Sequence, residues 1–161
     1  MEVFFLFLLI VIGVLVIFNL KKRQGLSDAS FPYKRRNYLL TNAEKSFYHA
    51  LQNCLNDSYV VFPKVRLADI FFVSGKENHR SHLNRIIQKH IDFLICDKQN
   101  FTPLAAIELD DSSHFGKGDI DNFKNSVFLS AGLPLYRIKA SYNYNPAQIK
   151  ETLKATLNDL I

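Results

Sequence analysis

The apolar residues change period several times along the chain, and each change predicts an element. Residues 3–20 (VFFLFLLIVIGVLVIFNL) carry no charge and no polar face. As a helix this stretch spans about 27 Å, close to the roughly 30 Å hydrocarbon core of a bilayer. Lys21, Lys22 and Arg23 follow at once, and Glu2 is the only charge before it. A cleaved signal peptide has the reverse order, with basic residues first and a small-residue cleavage site after, so the pattern predicts an uncleaved anchor. A buried core helix would show a polar side over this length.

Beyond the polar, Pro-containing linker QGLSDASFPY, the period becomes helical. Leu40, Phe47, Leu51 and Leu55 share a stripe, and Thr41 with Glu44 forms a T-x-x-E capping box at its start. YVVFPKV (59–65) predicts a strand whose proline suits an edge or a strand end. Residues 66–89 are less regular, with a short helix around Leu67, a turn at Gly75, and a basic stretch holding Lys76, Arg80, Arg85 and Lys89. HIDFLIC and PLAAIEL, joined by DKQNFT, predict a hairpin. Residues 119–131 predict a helix presenting Ile120, Phe123, Val127 and Phe128, closed by Gly132. LPLYRIKA predicts a further strand, and residues 146–161 a last helix with Ile149, Leu153, Leu157 and Leu160 on one stripe. The order αβββαβα predicts an α/β domain, a mixed sheet flanked by helices.

At 161 residues and 48% hydrophobic content, the chain accommodates one ordinary domain plus an appendage. The expected division is an anchor with its basic stop at 1–23, a linker at 24–37 and a domain at 38–161. Cys54 and Cys96 form no C-x-x-C pair, and with the histidines they match no zinc spacing, so both are expected in the core of a protein from a reducing compartment. The net charge of +5 is concentrated at the front, since residues 1–36 carry +4 of it and leave +1 for the rest. The basic residues at 21–23 and 34–36 therefore speak for topology and anionic headgroups. They place a short N-terminus outside and the domain in the cytoplasm.

Two acids break the apolar hairpin. Asp92 and Glu108 sit inside strand-like runs, and Asp110, Asp111 and His114 follow the second. An uncompensated carboxylate there costs several kcal/mol, so each needs a cation, hydrogen bonds or a metal. Side-chain alternation puts Glu108 and Asp110 on one face, and a hairpin partner brings Asp92 beside them. Hard oxygen ligands from neighbouring strands suit Mg²⁺ or Mn²⁺. The competing expectation is a structural ion pair with Arg137 or Lys139. Lys76, Arg80, Arg85 and Lys89 offer phosphate contacts or, alternatively, a solvated loop. Lys124 is expected either to turn toward the acids or to pair with Asp121 on its own helix.

The runs LLTNAEKSFYHAL, IDFLI, AAIELDDSSH and AGLPLYRI resemble a bacterial family, the domain of unknown function 2726, over roughly residues 39–140. That family is similar in turn to the very-short-patch repair and PD-(D/E)xK nucleases. The resemblance implies a restriction endonuclease-like core in which Asp92 and Glu108 hold Mg²⁺ or Mn²⁺ with the Leu109 carbonyl as a third ligand, and Glu44 adds an acid through water. The lysine expected two residues after Glu108 is replaced by Asp110, which leaves His114 as the candidate for proton transfer and Asp110 beside it. The implied protein is a nuclease of the bacterial inner membrane, single-pass through residues 3–20, acting on nucleic acid with DNA ahead of RNA. A catalytically inactive nucleic-acid-binding or scaffold module is the alternative.

Overall fold

The computed structural model describes residues 1–27, 31–110 and 118–154. The chain divides into two compact units, Met1–Asn37 and Tyr38–Ile161. The first is built on α1 (Glu2–Ser27), whose stretch Val3–Lys21 is long and apolar enough to cross a membrane by length and composition. Its side chains at positions 3–20 are all exposed. Because the helix is apolar on every side it has no polar face to give to water.

In the second unit, α2 (Asn42–Gln52) starts where the sequence predicts, with Thr41 and Glu44 each closing half of the capping box. The strands β1 (Tyr59–Arg66), β2 (His90–Asp97), β3 (Pro103–Asp110) and β4 (Leu135–Lys139) form one sheet in the order β1-β2-β3-β4. The first three run antiparallel and β4 lies parallel to β3. A parallel neighbour requires a crossover, which α5 (Gly118–Ala131) supplies. Gly132 ends that helix with φ +68°, a conformation glycine adopts without steric cost. Pro63 is accommodated because β1 is an edge strand.

Both faces of the sheet are covered, which is why β2 and β3 read as nearly continuous apolar runs. On one face Phe47 and Leu51 of α2, with Ile149 and Leu153 of α6 (Pro146–Leu153), bury Phe93, Ile95, Ala105 and Ile107. On the other, Leu67 of α3 (Leu67–Ile70), Ile86 of α4 (His79–Ile86) and Phe128 of α5 bury Leu94, Cys96 and Ala106. The unit is thus an α/β domain with a mixed four-stranded sheet between helices.

Part of the segment expected to be irregular, residues 79–86, is the helix α4, which buries Ile86 in the second core. Its apolar positions are too few to carry a helical period by themselves, and tertiary packing decides it. Cys54 and Cys96 are free and buried, as expected. Leu157 and Leu160, on the stripe predicted for the last helix, lie outside the described residues, and so do Asp111 and His114.

Candidate active site

The two acids of the hairpin stand where its strands part, Asp92 held from the side of α2 and Glu108 from the side of α5. Cross-strand pairing between β2 and β3 ends at Phe93 and Ile107, although both strands continue. Beyond that point the Asp92 carboxylate enters the opening, and its Oδ2 accepts the amide hydrogen of Leu109 at 2.9 Å. A side chain thus takes over the ladder position, which fixes Asp92 against the main chain next to Glu108. Leu109 meets Asp92 through its amide hydrogen.

Asp92 and Glu108 are held by different cations. Lys64, on β1, reaches Asp92 Oδ1 at 3.0 Å and also contacts Glu44 Oε1. Its backbone lies in the left-handed region at φ 57°, a conformation rare for a side chain of this size and compatible with a functional constraint. Lys124, on α5, stands 2.5 Å from Glu108 Oε1 and 3.0 Å from the carbonyl of His90. Arg137, on β4, holds Asp110 at 2.8 Å and Asp121 at 3.2 Å.

The competing expectation was a structural ion pair with Arg137 or Lys139; ion pairs are present, but their cations are Lys64 and Lys124. Arg137 is placed opposite Glu108 by the parallel register, but its guanidinium reaches the two outer acids, and Lys139 is exposed. Lys124 turns inward to the sheet, which leaves Asp121 to the arginine. Lys64 carried no distinguishing signal in the sequence. It reads as an outward residue of an edge strand, and only the register of β1 on β2 brings it to Asp92.

Burial and ion pairing compete in setting the protonation of the cluster. Glu108 is 9% exposed. Burial raises its pKa above the usual carboxylate value; Lys124 opposes this, Asp92 adds to it and Arg137 opposes it again, with burial prevailing. Burial also works against ionised Glu44, yet hydrogen bonds from Lys64 and from Thr41 outweigh it and leave this pKa lowered. Lys64 is the converse case, since its desolvation is outweighed by Glu44 and Asp92, and its pKa is raised.

Five carboxylates (Glu44, Asp92, Glu108, Asp110, Asp121) face three cations, leaving a net charge of −2 when all are ionised. Among the described residues no group of three or more His, Cys, Asp or Glu is placed to hold a metal. Magnesium needs no such group, because it keeps several waters and is bound through one or two carboxylates. The Asp92 and Glu108 donor set therefore fits Mg²⁺ or Mn²⁺ in charge and in chemical hardness. The surplus negative charge and the raised pKa of Glu108 are what an added divalent cation would relieve. Its entry requires lysine contacts to give way.

Of the expected phosphate-binding residues, two cover the ring of Phe123 on α5. The Arg85 guanidinium carbon lies 4.2 Å from the centroid of the Phe123 ring and Lys89 Nζ lies 5.3 Å from it. Phe123 precedes Lys124 on α5. Lys76 and Arg80 are exposed, the former in the turn before α4 and the latter on its first turn.

Among known families, the model of a protein of unknown function (DUF2726) matches residues 36–157. The chain belongs to this family. No curated protein matches, and no solved structure matches. The family match spans α2 through α6, and so contains the whole cluster of acids, lysines and arginine within one DUF2726 domain.

Proposed function

We propose that this DUF2726 domain is a membrane-anchored, Mg²⁺- or Mn²⁺-dependent phosphodiesterase that acts on nucleic acid, with DNA ahead of RNA. The observation that carries the proposal is the parting of β2 and β3 beside two sheltered carboxylates, Asp92 and Glu108, in a cluster with surplus negative charge and an inward lysine. The resemblance of the sequence runs to PD-(D/E)xK nucleases supports it, as part of a restriction endonuclease-like core.

In this reading Asp92 and Glu108 hold the ion, with Leu109 contributing main chain. The bound ion supplies an acidified water and charge stabilisation at the phosphate. Lys124 comes from α5 to the position beside Glu108 that the pattern ordinarily fills from two residues along the strand. There its ammonium orients the attacking water and balances charge on the phosphate oxygens. Asp110, held by Arg137, accepts a hydrogen bond from that water, and His114 is the proton-transfer group. Glu44 keeps Lys64 in place and adds an acid through water. Arg85 and Lys89 hold the strand's backbone next to the site, and Lys76 and Arg80 extend that track. Helix α1 anchors the domain in the bacterial inner membrane, single-pass, with a short N-terminus outside and the domain in the cytoplasm.

The test is cleavage of labelled single- and double-stranded oligonucleotides with Mg²⁺ or Mn²⁺. Activity that falls at least a hundredfold in Asp92→Ala and Lys124→Ala is expected. Absence of cleavage, or cleavage unchanged by Asp92→Ala, overturns the assignment. One observation favours a second reading, a catalytically inactive nucleic-acid-binding or scaffold module: Lys64 and Lys124 already satisfy both acids. Nucleic-acid binding without detectable Mn²⁺ binding would select it.

A further inference from the structure

The cluster leaves unused a separate concavity of the domain. A cleft of about 750 Å³ opens between the loop after α3, helix α4 and the C-terminal half of α5. Its floor is apolar, with Ile86 and Val127. Its rim is polar, with His82 and Ser130, and Phe72 stands at the edge 87% exposed. The wall nearest the acids is Phe123, the ring that Arg85 and Lys89 cover with positive charge. The next residue on α5 is Lys124, which holds Glu108.

We infer that this cleft receives an unstacked base of a single nucleic-acid strand, so that the substrate class is single-stranded or locally opened nucleic acid. This rests on the nucleic-acid reading above. An apolar floor with hydrogen-bonding groups at its edge fits a flat heteroaromatic ring with polar edges. A solvent-exposed phenylalanine at the entrance offers the π-face on which such rings stack in single-strand binding proteins. The two cations on Phe123, a residue of the cleft wall, provide the complementary charge for the phosphates that accompany the base. A base paired in a duplex presents its edges, not its faces, and cannot enter without leaving the stack.

The test uses the full-length chain in nanodiscs of neutral lipid, with EDTA present so that nothing is cleaved. Labelled single-stranded oligothymidylate and a blunt duplex of equal length are titrated by fluorescence anisotropy. The single strand is expected to bind at least tenfold more tightly. Phe72→Ala is expected to weaken single-strand binding about tenfold, within the range for loss of one stacked base, while leaving duplex binding unchanged. Phe72→Trp is expected to retain it. Since Phe72 is almost fully exposed, neither change touches the core. Equal affinity for the two forms, or no effect of Phe72→Ala, overturns the inference and leaves the nucleic-acid reading standing. Absence of binding to either form overturns both. Binding that follows the expected pattern supports the inference, and if the separate assay with Mg²⁺ or Mn²⁺ then shows no cleavage, only the catalytic proposal falls.

Discussion

Lys124 Nζ lies 2.5 Å from Glu108 Oε1 while also bonding the carbonyl of His90, so one side chain from α5 ties the buried acid of β3 to the start of β2. Both side chains are 12% exposed. An ion pair this sheltered is costly to break from one side, because the remaining charge is left in a poor solvent.

Lys124→Met is therefore expected to destabilise the domain by about 3 kcal/mol, the low end for a broken buried pair, because Glu108 escapes part of the penalty by taking up a proton. Adding Glu108→Gln removes the stranded charge, so the double variant is expected to lie above the sum of the single losses by about 1–3 kcal/mol. Urea unfolding of the four members of the cycle checks this. Strict additivity would mean that the two side chains do not interact in solution.

The Glu44 and Lys64 pair makes a pH prediction with a fixed sign. Glu44 has a lowered pKa in the folded state, so its contribution is present above the ordinary value of 4.5 and is lost as pH falls through the lowered one. Lys64 has a raised pKa, so its contribution is present below the ordinary value of 10.5 and is lost as pH rises through the raised one. The stability difference between the native chain and Glu44→Gln should be flat across the neutral range and shrink at both ends. A difference that grows toward acid would contradict the pairing.

Lys64 occupies an Asp92 oxygen that a divalent cation would need. Removing this positive charge with Lys64→Met is expected to tighten Mn²⁺ binding about tenfold, equivalent to roughly 1.4 kcal/mol, as read by Mn²⁺ electron paramagnetic resonance. Asp92→Asn is expected to abolish the same binding. Affinity unchanged by Lys64→Met would show that the ion, if held, sits away from Asp92.

Helix α1 presents apolar side chains on all sides. Expressed intact, the chain is expected in the membrane fraction and to resist extraction by high salt or carbonate. A version starting at Phe31 is expected in the soluble fraction with the domain folded, since Tyr38–Ile161 forms its own compact unit with both cores. Salt extraction of the intact chain would point to attachment by charge alone.

What the sequence determined by itself was local. The capping box at Thr41, the proline-bearing edge strand, the hairpin of two apolar runs and the glycine stop at Gly132 are each written in a few neighbouring residues, because backbone sterics and hydrogen-bond satisfaction act over that range. The odd placement of Asp92 and Glu108 was legible for the same reason: a carboxylate in an apolar strand demands compensation wherever it folds. The identity of the compensating groups was decided by the tertiary structure alone. Lys64 is 28 residues from Asp92 and Lys124 is 16 from Glu108, and only strand register and the crossover helix bring them within hydrogen-bonding distance. Helix α4 likewise forms because the second core accepts Ile86. Long-range pairing depends on geometry that no local pattern encodes, so the acids were visible in the sequence, Lys124 was legible only as one of two alternatives, and Lys64 was not legible at all.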